Sequence, residues 1–261
     1  MIGVAFALHE TFGIAPGIEA LVFERVVHEF AAQRRLDFDA AAVERMARAD
    51  GASFGSPVTL SEAFAAAFAP SLLSAEDVCW LEALFRMSAA SAVAERFVPF
   101  EDVAPALRGL AELRVPRIAL GGGWAPIDQR KADLAGFDGS IIFAEDLGVA
   151  ASSPAAFARV AEVLLLPADR IWFVASNAQS EIVPAAAAGL RTIWVNRGAS
   201  VFPPGLVQPD ATIGSLLELF DVLREPYTRG LLALRHILRT ALEWRPGHFI
   251  PVDDDPATGE R

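Results

Sequence analysis

His9 and Glu10 close a short apolar run near the start of the chain. An imidazole beside a carboxylate is a pairing that general acid–base catalysis uses, and a polar turn facing a pocket without chemistry has the same composition. Gly121, Gly122 and Gly123 form a second candidate, because three consecutive backbone N–H groups free of side chains can cradle an anion. No GxGxxG or P-loop pattern surrounds them, so a plain turn accounts for them as well. Ser152, Ser153, Ser176, Asn177 and Ser180 offer hydroxyls and an amide that either line a ligand site or cap helix starts. Glu145 and Asp146 present hard oxygens to a metal ion or make a solvated acidic turn. His28 and His236 lie within helical patterns and read as surface or core-edge groups. The residues expected to contact a ligand are His9, Glu10, Gly122, Ser176 and Asn177, with no metal ion and no cofactor.

The elements that must position these groups are strands alternating with helices. Residues 170–198 read RIWFVASNAQSEIVPAAAAGLRTIWVNRG. Ile171–Ala175 is a buried parallel strand by its β-branched and aromatic run, and the polar turn 176–180 sits at its carboxyl end. An Ala-rich helix follows, Gly189 suits the left-handed position that stops it, and Thr192–Val195 is the next strand. Two strands joined by a helix make a βαβ crossover, whose ligands bind beyond the strands' carboxyl ends. Further strands are expected at Ile2–Leu8, Arg117–Leu120, Gly139–Phe143 and Ala211–Ile213. Helices are expected at Ile18–Arg34, Ala40–Ala49, Leu60–Phe68, Ala75–Met87, Val103–Leu113, Pro126–Ala135, Pro154–Leu165 and Ser215–Leu223, with Asp39 and Ser74 as candidate N-caps. Gly51–Pro57 reads as a loop, and Arg96–Asp102 carries the chain back to the sheet. Pro226–Leu242 is amphipathic, with arginines at 229, 235 and 239, and the last stretch is rich in Pro, Asp and Gly. This order predicts an α/β fold with a parallel sheet.

Composition narrows the partners. The chain has 261 residues, of which 53% are hydrophobic, enough for a large core. Twenty-two Lys and Arg against 33 Asp and Glu give a net charge of −11, which disfavours nucleic acid and anionic membranes. Cys79 is the only cysteine, so neither an intrachain disulfide nor a cysteine metal site forms. The opening MIGVAFALHE lacks a basic flank and has an apolar run too short for a signal peptide, so the expected setting is the cytoplasm.

A first strand ending in a polar turn, a helical insertion, a strand with a Gly-rich turn, and the unit FVASNAQSEIVPAAAAGLRTIWVNRG together resemble the haloacid dehalogenase superfamily, most closely its 2-haloacid dehalogenases. The resemblance covers about residues 2–220 and is strong for Phe173–Arg197 and Pro209–Leu217. It implies a Rossmann-like core of residues 1–13 and 97–223, a helical cap of 14–96, and an added C-terminal extension of 224–261. It also implies a small-molecule ligand between cap and core and a homodimer.

The resemblance further implies four catalytic positions, and this chain departs at each. FALHETF matches FDLDGTL, so Ala7 stands at the nucleophilic aspartate, His9 at the second acidic or tyrosine position, and Thr11 is kept. LGGGW puts Gly121 where a Ser or Thr hydroxyl belongs. ASSP puts Ala151 at the lysine, with Pro154 kept. In the last motif Ser176 and Asn177 are kept, Ser180 replaces the acid, and Glu181 is expected to point elsewhere on the helix. Phe23-Glu24 is the nearest match to the Trp-Arg pair that binds substrate in the family, with the charge reversed. Alanine cannot form an ester intermediate, and without the acids, lysine and hydroxyl neither Mg²⁺ nor the transition state is held as the family holds them. The expectation is therefore a degenerate member that acts by binding or assembly. The alternative is an enzyme with repurposed chemistry at His9 and Glu10 on a small carboxylate or phosphate.

Overall fold

The computed structural model describes residues 1–48, 59–71 and 73–224. The loop expected at Gly51–Pro57, the amphipathic stretch Pro226–Leu242, His236 and the final stretch lie outside the described residues. The chain divides into two compact units, Met1–Leu219 and Phe220–Arg261.

Six parallel strands form the sheet of the first unit. They are β1 (Gly3–Ala7), β4 (Arg117–Gly121), β5 (Ser140–Phe143), β6 (Ile171–Ala175), β7 (Arg191–Val195) and β8 (Ala211–Ile213), in the spatial order β5-β4-β1-β6-β7-β8. β1 and β6 are buried along their whole length, which is why they read as continuous apolar runs. β1 is central, and its register sets Ala7 beside Leu120 of β4 and Phe6 beside Val174 of β6. The carboxyl ends of these three strands therefore share one edge, where the chain order reverses to either side of β1 and a ligand crevice is expected.

A short antiparallel ribbon, β2 (Gly13–Ile14) with β3 (Val98–Pro99), marks where the chain leaves the sheet and returns. Between them run α1 (Ile18–Arg34), α2 (Ala40–Arg48), α3 (Leu60–Ala67) and α4 (Ala75–Arg96). Their starts obey local rules. Asp39 Oδ1 accepts the N–H groups of Ala41 and Ala42, and Thr59 and Ser74 each form a capping box, with Glu62 and Asp77. α4 continues nine residues beyond the expected end at Met87. Its second half, SAASAVAER, is rich in alanine, and Ala89, Ala92 and Val93 are buried, so propensity and packing both extend it. An aromatic group made by Phe23 of α1, Phe64 of α3, Phe85 of α4 and Trp124 packs these helices onto the turn after β4.

Around the sheet lie α5 (Val103–Glu112), α6 (Ala125–Ala135), α7 (Ala144–Leu147), α8 (Pro154–Leu164) and α9 (Val183–Ala187). The helix after β6 opens as a π-turn, Ala178–Ile182, before α9 begins. Gly189 ends that segment with φ 84°, as its left-handed role requires. After β8, a 3-10 turn at Leu216–Glu218 leads into helical residues 219–224. No described helix is long and apolar enough to cross a membrane.

Candidate functional site

The ends of β1, β4 and β6 bring the expected site positions together, but several now do structural work. Ala7 and Ala151 are fully buried and belong to one apolar cluster with Leu120, Phe173 and Ala175. The positions where the resemblance expects an attacking carboxylate and its lysine are thus two methyl groups in the core. Thr11 is buried and donates to the His9 carbonyl at 3.2 Å. The Ser176 hydroxyl donates to the same carbonyl at 3.3 Å, tying the end of β6 to the turn after β1. Asn177 caps the π-turn, its Oδ1 accepting the N–H groups of Gln179 and Ser180 at 3.0 Å. Ser153 likewise caps α8.

Glu181 is turned inward, contrary to the expectation that it points elsewhere on the helix. The Ile182 N–H reaches the Asn177 carbonyl and the Val183 N–H that of Ala178, both i→i+5 bonds. Such a turn holds one more residue than an α-turn, so residue 181 swings toward the face that residue 180 would otherwise take. The Glu181 side chain is fully buried, and Oε2 accepts the Asn177 N–H at 2.8 Å. Oε1 has no hydrogen-bond partner among the described residues. Burial pushes this carboxyl up to about 8, against the backbone N–H groups of Asn177 and Ser176 and with the charge of Glu10 adding to the rise.

A pocket of about 340 Å³ opens beside the β1 turn, lined by residues 8–10 and 13–17 together with Glu19 and Lys131. Of the five residues expected to contact a ligand, His9 and Glu10 line it. His9 Nε2 and Glu10 Oε1 are 3.9 Å apart. Glu10 aligns with the glycine of FDLDGTL and has φ 50°, a left-handed conformation that costs a non-glycine residue about 1 kcal/mol.

Glu19 and Lys131 are the charged residues of this pocket that sequence reasoning missed. Glu19 lies in the first turn of α1, where the helix dipole favours a carboxylate. Lys131 Nζ donates to Glu19 Oε1 at 2.6 Å, and both side chains are about nine-tenths buried. Asp128, one turn before Lys131 on α6, places Oδ1 3.9 Å from Nζ. Its Oδ2 accepts the Gly123 N–H at 2.8 Å, so the glycine turn read as an anion cradle holds a carboxylate of this chain. A Cβ at Gly121 would lie 2.7 Å from Asp128 Oδ2, so Asp128 occupies space that a side chain at 121 would need. Burial raises the Asp128 carboxyl above the ordinary range, Lys131 opposes that and Glu19 adds to it. The available signal was the spacing: Asp128 and Lys131 fall on the face of α6 that also carries Ile127, Ala132 and Ala135, which a helical projection makes the inner one.

Other candidates resolve plainly. Glu145 Oε1 accepts the Leu60 N–H at 2.7 Å and Oε2 the Ala125 N–H at 3.0 Å, so this carboxylate ties the starts of α3 and α6. Asp146 and Glu24 are exposed, and neither lines the pocket. Phe23 belongs to the aromatic group. His28 is exposed with its ring edge-on to Phe38. The residues present do not fit the Mg²⁺ of the phosphatase branch, since Ala7 offers no carboxylate, burial pushes the Glu181 carboxyl that takes the face of residue 180 up to about 8, and no group of three His, Cys, Asp or Glu converges among the described residues.

No protein-family model matches the chain. Over 128 residues it is 32% identical to (S)-2-haloacid dehalogenase 2 of Pseudomonas sp. (strain CBS-3), a match covering 48% of this chain and 56% of that protein. The match thus spans little more than half the length of the relative. The solved 2-haloacid dehalogenase from Pseudomonas syringae pv. Tomato DC3000 shares its fold at a TM-score of 0.65 and 24% identity, covering 85% of this chain and 98% of that one. The HAD phosphatase from Thermococcus onnurineus aligns at 0.56 and 16% identity, over 85% and 98% of the two chains. The L-2-haloacid dehalogenase from Xanthobacter autotrophicus aligns at 0.54 and 19% identity, over 86% and 99%. The parallel sheet, the helices inserted after β1 and these likenesses show that the chain has the fold of the haloacid dehalogenases, and over 128 residues its sequence is similar to one of them.

Proposed function

We propose that this chain has lost the hydrolysis of its superfamily and acts by binding a small molecule in the pocket beside His9 and Glu10. The cap in this reading is residues 14–96 and the core residues 1–13 and 97–223. The supporting observation is the joint burial of Ala7 and Ala151 in one apolar cluster. An attacking carboxylate and the lysine that neutralises it are useful only together, and here both are replaced by groups that pack. Asp128 reinforces the reading, because it fills the space beside Gly121 where the transition-state hydroxyl belongs. The test is turnover of a 2-haloacid and of a generic phosphate ester by the repurified chain, with a buffer blank. No turnover above the blank is expected, and clear turnover that survives repurification refutes the reading.

A second reading is repurposed acid–base chemistry on a small carboxylate or phosphate. It draws on His9 and Glu10 lining the same pocket 3.9 Å apart. It requires turnover that His9→Gln abolishes, with a pH–rate profile that the substitution changes.

A further inference from the structure

The charges of the pocket beside β1 favour one class of ligand. Its lining carries two carboxylates, Glu10 and Glu19, and one ammonium, Lys131. The Lys131 charge is engaged by Glu19 at 2.6 Å, and Asp128 approaches the same Nζ at 3.9 Å. A Cβ at Gly123 would meet both Asp128 carboxyl oxygens at 3.3 Å and Glu19 Oε1 at 3.4 Å, so two buried carboxyls from different helices converge on one point of the glycine turn. Two carboxyl groups, Glu19 and Asp128, therefore flank one lysine, and Glu10 adds a further carboxylate to the lining. The whole chain, at −11, draws cations toward such a cleft and repels anions.

We propose that this pocket binds a small molecule carrying an alkylammonium group, seated between the carboxylates of Glu10 and Glu19 with its aliphatic part against Leu8, Ile14 and Pro16. The proposal rests on the reading of this site as one that binds without hydrolysis, and it names the ligand class. A carboxylate or phosphate ligand would meet Glu10 and Glu19 while the lysine is already held by one of them. Ligand pockets commonly run from about 300 to 1,000 Å³, so a volume of about 340 Å³ suits a compact amine and not a nucleotide-sized molecule. The raised carboxyl of Asp128, caused by burial first and by Glu19 as well, is what a neighbouring cation would relieve.

The experiment is calorimetric titration of the full chain at pH 7 and constant ionic strength, with butylamine hydrochloride and ethanolamine hydrochloride on one side and sodium butyrate and inorganic phosphate on the other. Saturable binding of the amines and none of the anions is expected, weakened by added salt. Glu10→Gln, at the exposed mouth, weakens amine binding roughly tenfold. Glu19→Gln strands a buried lysine, so the double variant Glu19→Gln/Lys131→Met is tested beside it and shows the same weakening. The proposal is overturned if the amines do not bind, if butyrate or phosphate binds in their place, or if amine affinity is unchanged in both Glu10→Gln and the double variant. Haloacid or phosphate-ester turnover would instead refute the non-hydrolytic reading, so the two failures are distinguishable.

Discussion

Replacing Glu181 by glutamine should abolish a pH dependence that the wild-type fold carries. Burial raises the folded-state carboxyl from 4.5 to about 8, so it stays protonated at neutral pH, whereas the unfolded chain ionises it above its ordinary value. Between these two values the unfolded state binds fewer protons than the folded state. Stability therefore falls as pH rises across that window and levels off above it. At about 1.4 kcal/mol per pH unit, the gap sets a ceiling of about 5 kcal/mol on the loss. Glutamine is neutral throughout and can still accept the Asn177 N–H that Glu181 Oε2 accepts at 2.8 Å. The assay is urea denaturation of both proteins from pH 5 to 9, comparing midpoints at matched slope. The proteins should be nearly equal at pH 5, with the glutamine variant more stable by several kcal/mol at pH 8. The raised carboxyl of Asp128 contributes with the same sign in both proteins, so the difference isolates Glu181. A difference that does not vary with pH, or a glutamine variant that is the weaker at pH 8, would refute the account.

Ala7→Asp alone should restore no haloacid or phosphate-ester hydrolysis, and it should cost about 4 kcal/mol at pH 7 by holding a buried carboxyl protonated, a cost that shrinks at mildly acidic pH. Thermal melts and turnover assays of the variant check both parts. Asp102→Asn should destabilise by about 2–3 kcal/mol, because Asp102 Oδ2 accepts from Arg197 at 2.6 Å, Leu216 N–H at 2.6 Å and the Ser215 hydroxyl at 2.9 Å. Burial opposes the Asp102 charge, but Arg197, Leu216 and Ser215 together outweigh it and hold the carboxyl below its ordinary range. That stabilisation is present above the ordinary aspartate value and is lost as pH falls through the lowered folded value, so denaturation midpoints of wild type and variant should converge in strong acid. Millimolar Mg²⁺ should leave the melting temperature unchanged, and a saturable rise would contradict the stated misfit of the old metal positions.

Local rules made much of this protein legible. Continuous apolar runs marked β1 and β6, helical spacing marked α1, and Asp39, Ser74 and Gly189 act where their side chains or backbone freedom placed them. Each is settled within a few residues of chain, so sequence suffices. The loss of the nucleophile and lysine positions was equally legible, since FALHETF and ASSP name them, but that Ala7 and Ala151 share one packed cluster was not. Two-residue strands such as β2 and β3 carry too little pattern to detect. Ser176 and Asn177 were legible as ligand-lining or capping groups at this edge, and the structure shows Asn177 capping the π-turn, while the Ser176 hydroxyl's partner is invisible until the turn after β1 lies against it. The π-turn reversed the direction expected of Glu181, since an i→i+5 bond is a choice made by packing. The pocket's charges also came from positions far apart in the chain. Glu19 and Lys131 are separated by 112 positions, and neither is unusual on its own helix. Only the packing of α1 and α6 on the shared helix α4 brings that carboxylate and ammonium out of water to within 2.6 Å, and an ion pair's strength and a buried group's ionisation depend on distance and solvent exclusion, which a sequence does not contain.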